Sequence, residues 1–346
     1  MLRSVAFVIF VGACGASPDL GVESAGAYRV GTARLDLTDT ARSRALTAQV
    51  WYPTDAAAID VPIEQLEIDP HRASYAGLLA AAPSCPSRTA HVAVGATAAA
   101  GTFPLVAFSH CHDCVRFSEE TVAERLASHG FVVIAVDHTG NTIYDHLAGH
   151  EETIGTDFLN VRAADIRFAI DRAIATQPID PTRIGVFGHS FGGVTAGLVA
   201  QTDTRIRAAL SIAAPMDNPL ISGVNIEDLH VPLAFLVAKE DNSITELGNK
   251  LIRENNYAMA SVPVWKLEVA DAGHWSFSDV DGAADIFMAG CGAGIRQTTG
   301  EDFTYMDPEA GRAIAASFVT AFFEAELDGS EGAKAYLDEK AEHRND

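Results

Sequence analysis

Arg183-Ile184-Gly185-Val186-Phe187-Gly188-His189-Ser190-Phe191-Gly192-Gly193 is the stretch whose reading decides the fold. Ile184 to Phe187 is a short apolar run of the kind a buried strand requires. The chain then turns at Gly188 and continues from Phe191 into a helix of small residues. Gly188-His189-Ser190-Phe191-Gly192 fits G-x-S-x-G, a sharp strand-to-helix turn. Such a turn brings neighbouring backbone so close that a Cβ two residues before or after the serine would clash. It holds the Ser190 hydroxyl clear of the sheet at a helix N-terminus, where a base can reach its proton and a developing anion is favoured. A glycine-rich turn without chemistry is the alternative reading.

Outward from this turn, short apolar runs alternate with helical patterns. Strands are expected at Val30 to Leu37, Leu46 to Tyr52, Pro104 to Ser109, Phe131 to Val136, Ala208 to Ile212, Pro232 to Ala238 and Val262 to Val269. Helices are expected from Glu119 to His129, with Ser118 as N-cap and Gly130 just past the end, and from Val161 to Thr176. A last long helix starts at Asp307-Pro308 and ends near Gly329. This alternation implies an α/β fold with a doubly wound, mostly parallel sheet and helices on both faces. Ligands then bind beyond the carboxyl ends of the strands. Residues 28–346 read as a single domain with an insertion at about 54–102, and Asp137 to Asn160 reads as a long loop.

The N-terminus carries one positive residue, Arg3, then an apolar run from Val5 to Val11, then Gly12-Ala13-Cys14. This pattern is an export signal. A membrane span needs about 20 apolar residues, and this run is much shorter. Val11-Gly12-Ala13-Cys14 resembles the bacterial lipobox. Residues 1–13 are therefore expected to be a signal peptide, Cys14 a lipidated anchor, and residues 14–27 a tether. By resemblance to Gram-negative lipoproteins, Gly15 after the cysteine implies the outer membrane. Of the 346 residues 48% are hydrophobic, ample for a core, and the formal net charge of −22 argues against nucleic acid or anionic lipid as a partner.

A serine hydroxyl needs a base, and the base needs an orienting acid. After this type of turn the three follow in the order Ser, Asp/Glu, His. His230 precedes a strand and lies at the wrong edge of the sheet. His274, in Asp271-Ala272-Gly273-His274-Trp275 after the last parallel strand, is the expected base. Asp241, three residues past Ala238, is the expected acid, with Asp217 and Glu240 as alternatives. The expected oxyanion donors are the backbone N–H groups of Phe191 and His112. The loop His110-Cys111-His112-Asp113-Cys114 also has the composition of a metal site. Its ligands are too crowded along the chain for a regular tetrahedron, so neither a metal nor a cofactor is expected. His138, His146 and His150 are read as surface residues, with a place in the pocket as the alternative.

The chain resembles α/β-hydrolases of the branch containing platelet-activating-factor acetylhydrolases, dienelactone-hydrolase-like proteins and bacterial polyester hydrolases. The resemblance rests on Val50-Trp51-Tyr52-Pro53, Phe108-Ser109-His110, Leu126 to Val133, Gly188 to Gly193 and Gly273-His274, and it spans Val30 to Glu326. It implies oxyanion amides at Phe191 and His112. It places the acid at Asp241, as in the polyester hydrolases, because the position used by the acetylhydrolases reads Ala213-Ala214-Pro215. Cys111 stands where the family usually has glycine, and Ser190 stands where dienelactone hydrolases have cysteine.

The implied activity is a serine esterase working through an acyl-enzyme, on short-acyl or acetylated, lipid-like esters. A peptidase or amidase on the same residues is one alternative, and a non-catalytic envelope lipoprotein is another. A monomer whose partners are its ester substrate and the membrane is expected. An exported chain meets an oxidising compartment, so Cys85, Cys111, Cys114 and Cys291 are expected in two disulfides. At least one of Cys111 and Cys114 is expected to bond to Cys85 or Cys291, with a local Cys111–Cys114 bridge as the rival.

Overall fold

The computed structural model describes residues 21–81, 88–280, 282, 287 and 290–345. Cys14, the signal peptide and Cys85 lie outside the described residues.

The chain opens with β1 (Arg29–Asp39) and β2 (Arg44–Thr54), an antiparallel pair. The insertion that follows holds β3 (Ile59–Pro62), α1 (His71–Ala81) and β4 (Thr89–Val94). β4 pairs with β1, so the insertion widens the sheet. Next come β5 (Phe103–Ser109), α2 (Glu120–Ser128), β6 (Val132–Val136), α3 (Ile143–Ala148) and α4 (Thr156–Thr176). The elbow joins β7 (Ile179–His189) to α5 (Phe191–Thr202). β8 (Ile206–Ile212), β9 (Leu233–Ala238), α6 (Thr245–Leu251) and β10 (Val264–Val269) complete the central part. A small hairpin, β11 (Ala293–Ile295) and β12 (Asp302–Thr304), precedes α7 (Pro308–Phe323), α8 (Glu331–Lys340) and β13 (Glu342–Arg344).

The main sheet has eleven strands in the order β13-β10-β9-β8-β7-β5-β6-β2-β1-β4-β3. β10, β9, β8, β7, β5 and β6 are all parallel. Their side chains alternate between two cores. Val106 and Phe108 of β5 and Ala234 and Leu236 of β9 face one side, under α2 and α7. Leu105 and Ala107, with Leu233, Phe235 and Val237, face the other, under α4 and α5. Burial on both faces explains why these strands read as unbroken apolar runs.

Three local expectations need correction. α2 starts at Glu120, and Ser118 does not cap it. Its N-terminus is instead capped from across the molecule: Asp279 accepts from the Thr121 N–H at 2.7 Å and from the Thr121 hydroxyl at 2.6 Å. A carboxylate delivered by tertiary packing outcompetes the local serine. The loop 137–160 contains α3, closed by a Thr142–Asp145 capping box, and α4 begins at Thr156, ahead of Val161. Asp307 and Pro308 do cap and open α7, and Gly329 adopts φ 68° past its end.

Asp279 also pairs with Arg88 at 2.9 Å and sits 3.6 Å from Arg312. Asp279→Ala removes a cap, takes from Arg88 one of its two carboxylates, the other being Glu124, and takes from the buried Arg312 its neighbouring carboxylate. It is expected to cost about 3 kcal/mol or more in urea unfolding, since breaking a buried ion pair costs about 3–5 kcal/mol. A loss below about 1 kcal/mol would show that the cap and pair carry no weight.

Candidate active site

Ser190 follows directly on the end of β7 with φ 55° and ψ −122° and precedes the first turn of α5. Its N–H donates to the Ile212 carbonyl at 2.9 Å, which ties the turn to β8. The glycines are sterically required. A Cβ at Gly188 would overlap the Gly192 carbonyl, and one at Gly192 would overlap the Ser109 carbonyl oxygen.

His274 and Asp241 are both fully buried, on loops after β10 and β9. His274 Nδ1 lies 2.7 Å from Asp241 Oδ2. Asp241 Oδ1 accepts the N–H groups of Ser243 and Ile244, each at 2.9 Å, so the carboxylate is held from behind. The Asp241 contact assigns the proton of His274 to Nδ1, leaving Nε2 as an acceptor. Nε2 is buried and has no hydrogen-bond partner among the described residues. The other two acids are used elsewhere. Asp217 Oδ2 accepts the Ile226 N–H at 3.1 Å, and Glu240 binds Arg296 at 2.7 Å. His230 is exposed on the far edge.

A cleft of about 340 Å³ brings together Ser190, Phe191 and His112. Its walls are mostly apolar: Ile154, Val194, Ile221, Ile244, Trp275 and Phe287. Trp275 packs edge-to-face on His274, centroids 4.6 Å apart, and on Phe287 at 4.9 Å.

The loop carrying His112 is closed by a Cys111–Cys114 disulfide. This overturns the expected bond from one of these cysteines to Cys85 or Cys291. The two cysteines lie three residues apart with Cα atoms 5.2 Å apart, inside the span a disulfide bridges. Cys291 is itself disulfide-bonded. Among the described residues no group of His, Cys, Asp and Glu is arranged to hold a metal ion, and in the His110–Cys114 loop both thiols are consumed by the bridge.

Beneath this loop lies a charge that the sequence reading passed over. Arg162 of α4 is fully buried and donates to the His110 carbonyl, to Asn141 Oδ1, and to Ser109 Oγ and Thr195 Oγ1, the last two at 3.1 Å. Its guanidinium stacks 4.6 Å above the Phe191 ring. Burial pushes it down to about 9, opposed by Asp165 and Asp113, so it stays charged at neutral pH. His110 accepts the His138 N–H at 3.0 Å on Nε2, so its Nδ1–H donates to the Cys111 carbonyl at 2.7 Å. Burial, reinforced by Arg162, keeps His110 neutral, well below the usual histidine range.

A second serine-histidine-aspartate chain exists here. Ser109 Oγ lies 3.0 Å from His138 Nε2, and His138 Nδ1 lies 3.1 Å from Asp165 Oδ2. All three side chains are buried, so no substrate reaches them. His138 is thus a core residue and not a surface one. His146 is half-buried beside Asp113, and His150 is exposed. The Ser109 chain has both of its hydrogen bonds and is closed off, whereas Ser190 lines the cleft and the Asp241–His274 pair leaves Nε2 unbonded among the described residues.

Strands of this order with a serine at such an elbow define an α/β-hydrolase. The chain belongs to the PET hydrolase-like family, whose model matches residues 90–281. The model for platelet-activating factor acetylhydrolase, isoform II, matches residues 19–146. The chain is 32% identical over 155 residues to Lipase 1 of Moraxella sp., covering 44% of this chain and 41% of that protein. It is 28% identical over 140 residues to Cutinase est2 of Thermobifida alba, covering 40% of this chain and 42% of that one. It is 25% identical over 170 residues to platelet-activating factor acetylhydrolase of Canis lupus familiaris, covering 35% of this chain and 38% of the relative. The chain thus spans less than half the length of these curated relatives. A ferulic acid esterase from Streptomyces cinnamoneus superimposes with a TM-score of 0.65 at 24% identity, over 88% of this chain and 91% of that one. That likeness supports the fold.

The Asp165 network yields a prediction about acid. Burial alone would raise Asp165, but hydrogen bonds from His138 and Arg44 reverse this and bring it to about 2. A depressed carboxylate stabilises the fold above its unfolded value, near 3.8, and that contribution is lost as pH falls through 2. A shift of this size corresponds to about 2 kcal/mol. Asp165→Asn is expected to destabilise at pH 7, and the gap to the native protein should narrow by about 2 kcal/mol between pH 5 and pH 2. Urea unfolding across that range measures it, and a constant gap would contradict the assignment.

Proposed function

We propose that this protein is a serine carboxylic-ester hydrolase. The observation that carries the reading is the 2.7 Å contact between His274 Nδ1 and Asp241 Oδ2, which leaves Nε2 of His274 without a partner among the described residues. In this reading Ser190 Oγ attacks the ester carbonyl while His274 Nε2 takes its proton, and the carbonyl electron pair moves onto oxygen. The backbone N–H groups of Phe191 and His112 hold that oxyanion. As the tetrahedral species collapses, the alcohol leaves with the proton from His274, and the acyl group remains on Ser190. Water, deprotonated by His274, then releases the acid and restores the serine. Asp241 keeps the imidazole in the tautomer that can accept a proton and stabilises the imidazolium.

The cleft supports a compact acyl group. Its volume of about 340 Å³ is at the small end for ligand sites, and its aromatic and aliphatic walls favour an apolar acyl chain. Short-acyl or acetylated, lipid-like esters fit these limits. The relatives named as acetylhydrolase, lipase and cutinase support ester chemistry in general. Lipid attachment at Cys14, with export to the outer membrane, belongs to the same proposal and rests on the Val11-Gly12-Ala13-Cys14 motif.

Ser190→Ala is expected to lose about 10⁶-fold in kcat with the fold intact. Ser109→Ala should remain active within about tenfold, because Ser109 is closed off from the cleft. Retention of more than about a tenth of native turnover in Ser190→Ala, or loss of fluorophosphonate labelling only in Ser109→Ala, would overturn the assignment. Asp241→Asn should cost about 10⁴-fold, and Asp217→Asn little. A panel of esters graded by acyl length, with a matched amide, tests the substrate class. Intact mass of the membrane fraction should show a diacylglyceryl adduct on Cys14, lost in Cys14→Ser; an unmodified N-terminus at Gly15 or later contradicts the anchor.

A further inference from the structure

His189, the residue before Ser190, is fully buried and bonded at both ring nitrogens. Nδ1 lies 2.9 Å from Glu119 Oε1, and Nε2 lies 3.0 Å from the backbone carbonyl of His274. A carbonyl oxygen can only accept, so Nε2 carries a proton. Nδ1 then either carries a second proton, facing a carboxylate, or is bare and accepts a proton from a carboxylic acid.

We propose that Glu119 and His189 form a neutral positioning relay: the Glu119 carboxylic acid donates to His189 Nδ1, and His189 Nε2–H holds the His274 carbonyl. This rests on reading His274 as the general base. Both groups sit among buried neighbours, where a neutral pair avoids the desolvation of two ions. Burial pushes Glu119 well above the carboxylate range, joined by the Asp279 charge and opposed by the Ser278 hydroxyl and Arg312. Burial pushes His189 well below the histidine range, joined by His274 and opposed by its bond to the His274 backbone. These are the charged and titratable groups facing the pair: Asp279 after β10, Arg312 on α7, and His274.

The arrangement has two effects on the reaction. His189 is covalently joined to Ser190 and hydrogen-bonded to the His274 backbone, so one side chain fixes the spacing of nucleophile and base. The His274 loop has its own support, since the Gly273 N–H donates to Ser276 Oγ at 2.9 Å and that hydroxyl donates to the Gly290 carbonyl at 2.9 Å. The relay adds the contact at His274 itself. Second, the His189 and His274 rings are 5.0 Å apart. An imidazolium at His189 would oppose the positive charge that His274 takes on during turnover, and a neutral ring does not.

Glutamine tests the charge state, because its amide N–H can replace the acid's O–H without adding charge. Glu119→Gln is expected to keep kcat within about threefold, with the acid limb of the kcat/KM profile unmoved. Glu119→Ala should lower kcat on the order of 10²-fold by misplacing the base, with KM changed less than about twofold. Nitrogen-15 spectra of the native protein should show His189 as the neutral Nε2–H tautomer from pH 5 to 8. This spectrum judges the relay if the alanine variant fails to fold. It also does so if the protein has no esterase activity, in which case the functional reading fails separately. An imidazolium signature at His189, a glutamine variant as impaired as the alanine one, or an alanine variant with native kcat would each overturn the proposal.

Discussion

The guanidinium of Arg162 is the charge around which the rest of the site is arranged. It is buried with no exposed surface, and an unpaired charge there would be costly. Its partners therefore converge on it: the end of β5 through Ser109 and His110, the loop after β6 through Asn141, and α5 through Thr195. Those same segments carry the two backbone amides proposed for the oxyanion. The demand of one cation for hydrogen-bond acceptors thus sets the spacing of groups that never touch it. The disulfide at Cys111 and Cys114 tightens the same loop from its other side.

Much of this was legible in the sequence. The parallel strands declare themselves because each is buried on both faces and reads as an apolar run. Ser190, Asp241 and His274 declare themselves because each closely follows such a run, where side chains emerge at the carboxyl edge of the sheet. What stayed hidden was decided across space. Glu119 and Glu120 read as ordinary acids in a helix's first turn, yet both are buried, Glu120 against the Trp51 indole N–H at 2.9 Å. Nothing along the chain singles out Arg162 among the polar positions of α4. Ser118 read as the cap because nothing along the chain reveals Asp279 arriving from 158 residues away. The cysteine pairing was open for the same reason, as spacing permits both connectivities.

The two histidine chains show how little residue identity says without exposure. Ser109, His138 and Asp165 have hydrogen-bond lengths close to those expected of a working relay, and they serve as packing. Their polar atoms satisfy one another and Arg162, which is what a buried polar network must do.

The two ends of the sheet carry a different consequence. One edge is β3, four residues long, and the other is β13, three residues long and paired antiparallel with β10. A long free strand is a template on which another chain can add itself. β10 would offer six residues of such a template were β13 absent. The short strand β13 covers Val264, Trp265 and Lys266 of it and so halves the template on this edge. Resistance to cross-molecule strand addition is thus concentrated in Glu342–Arg344, beside the strand that leads to His274.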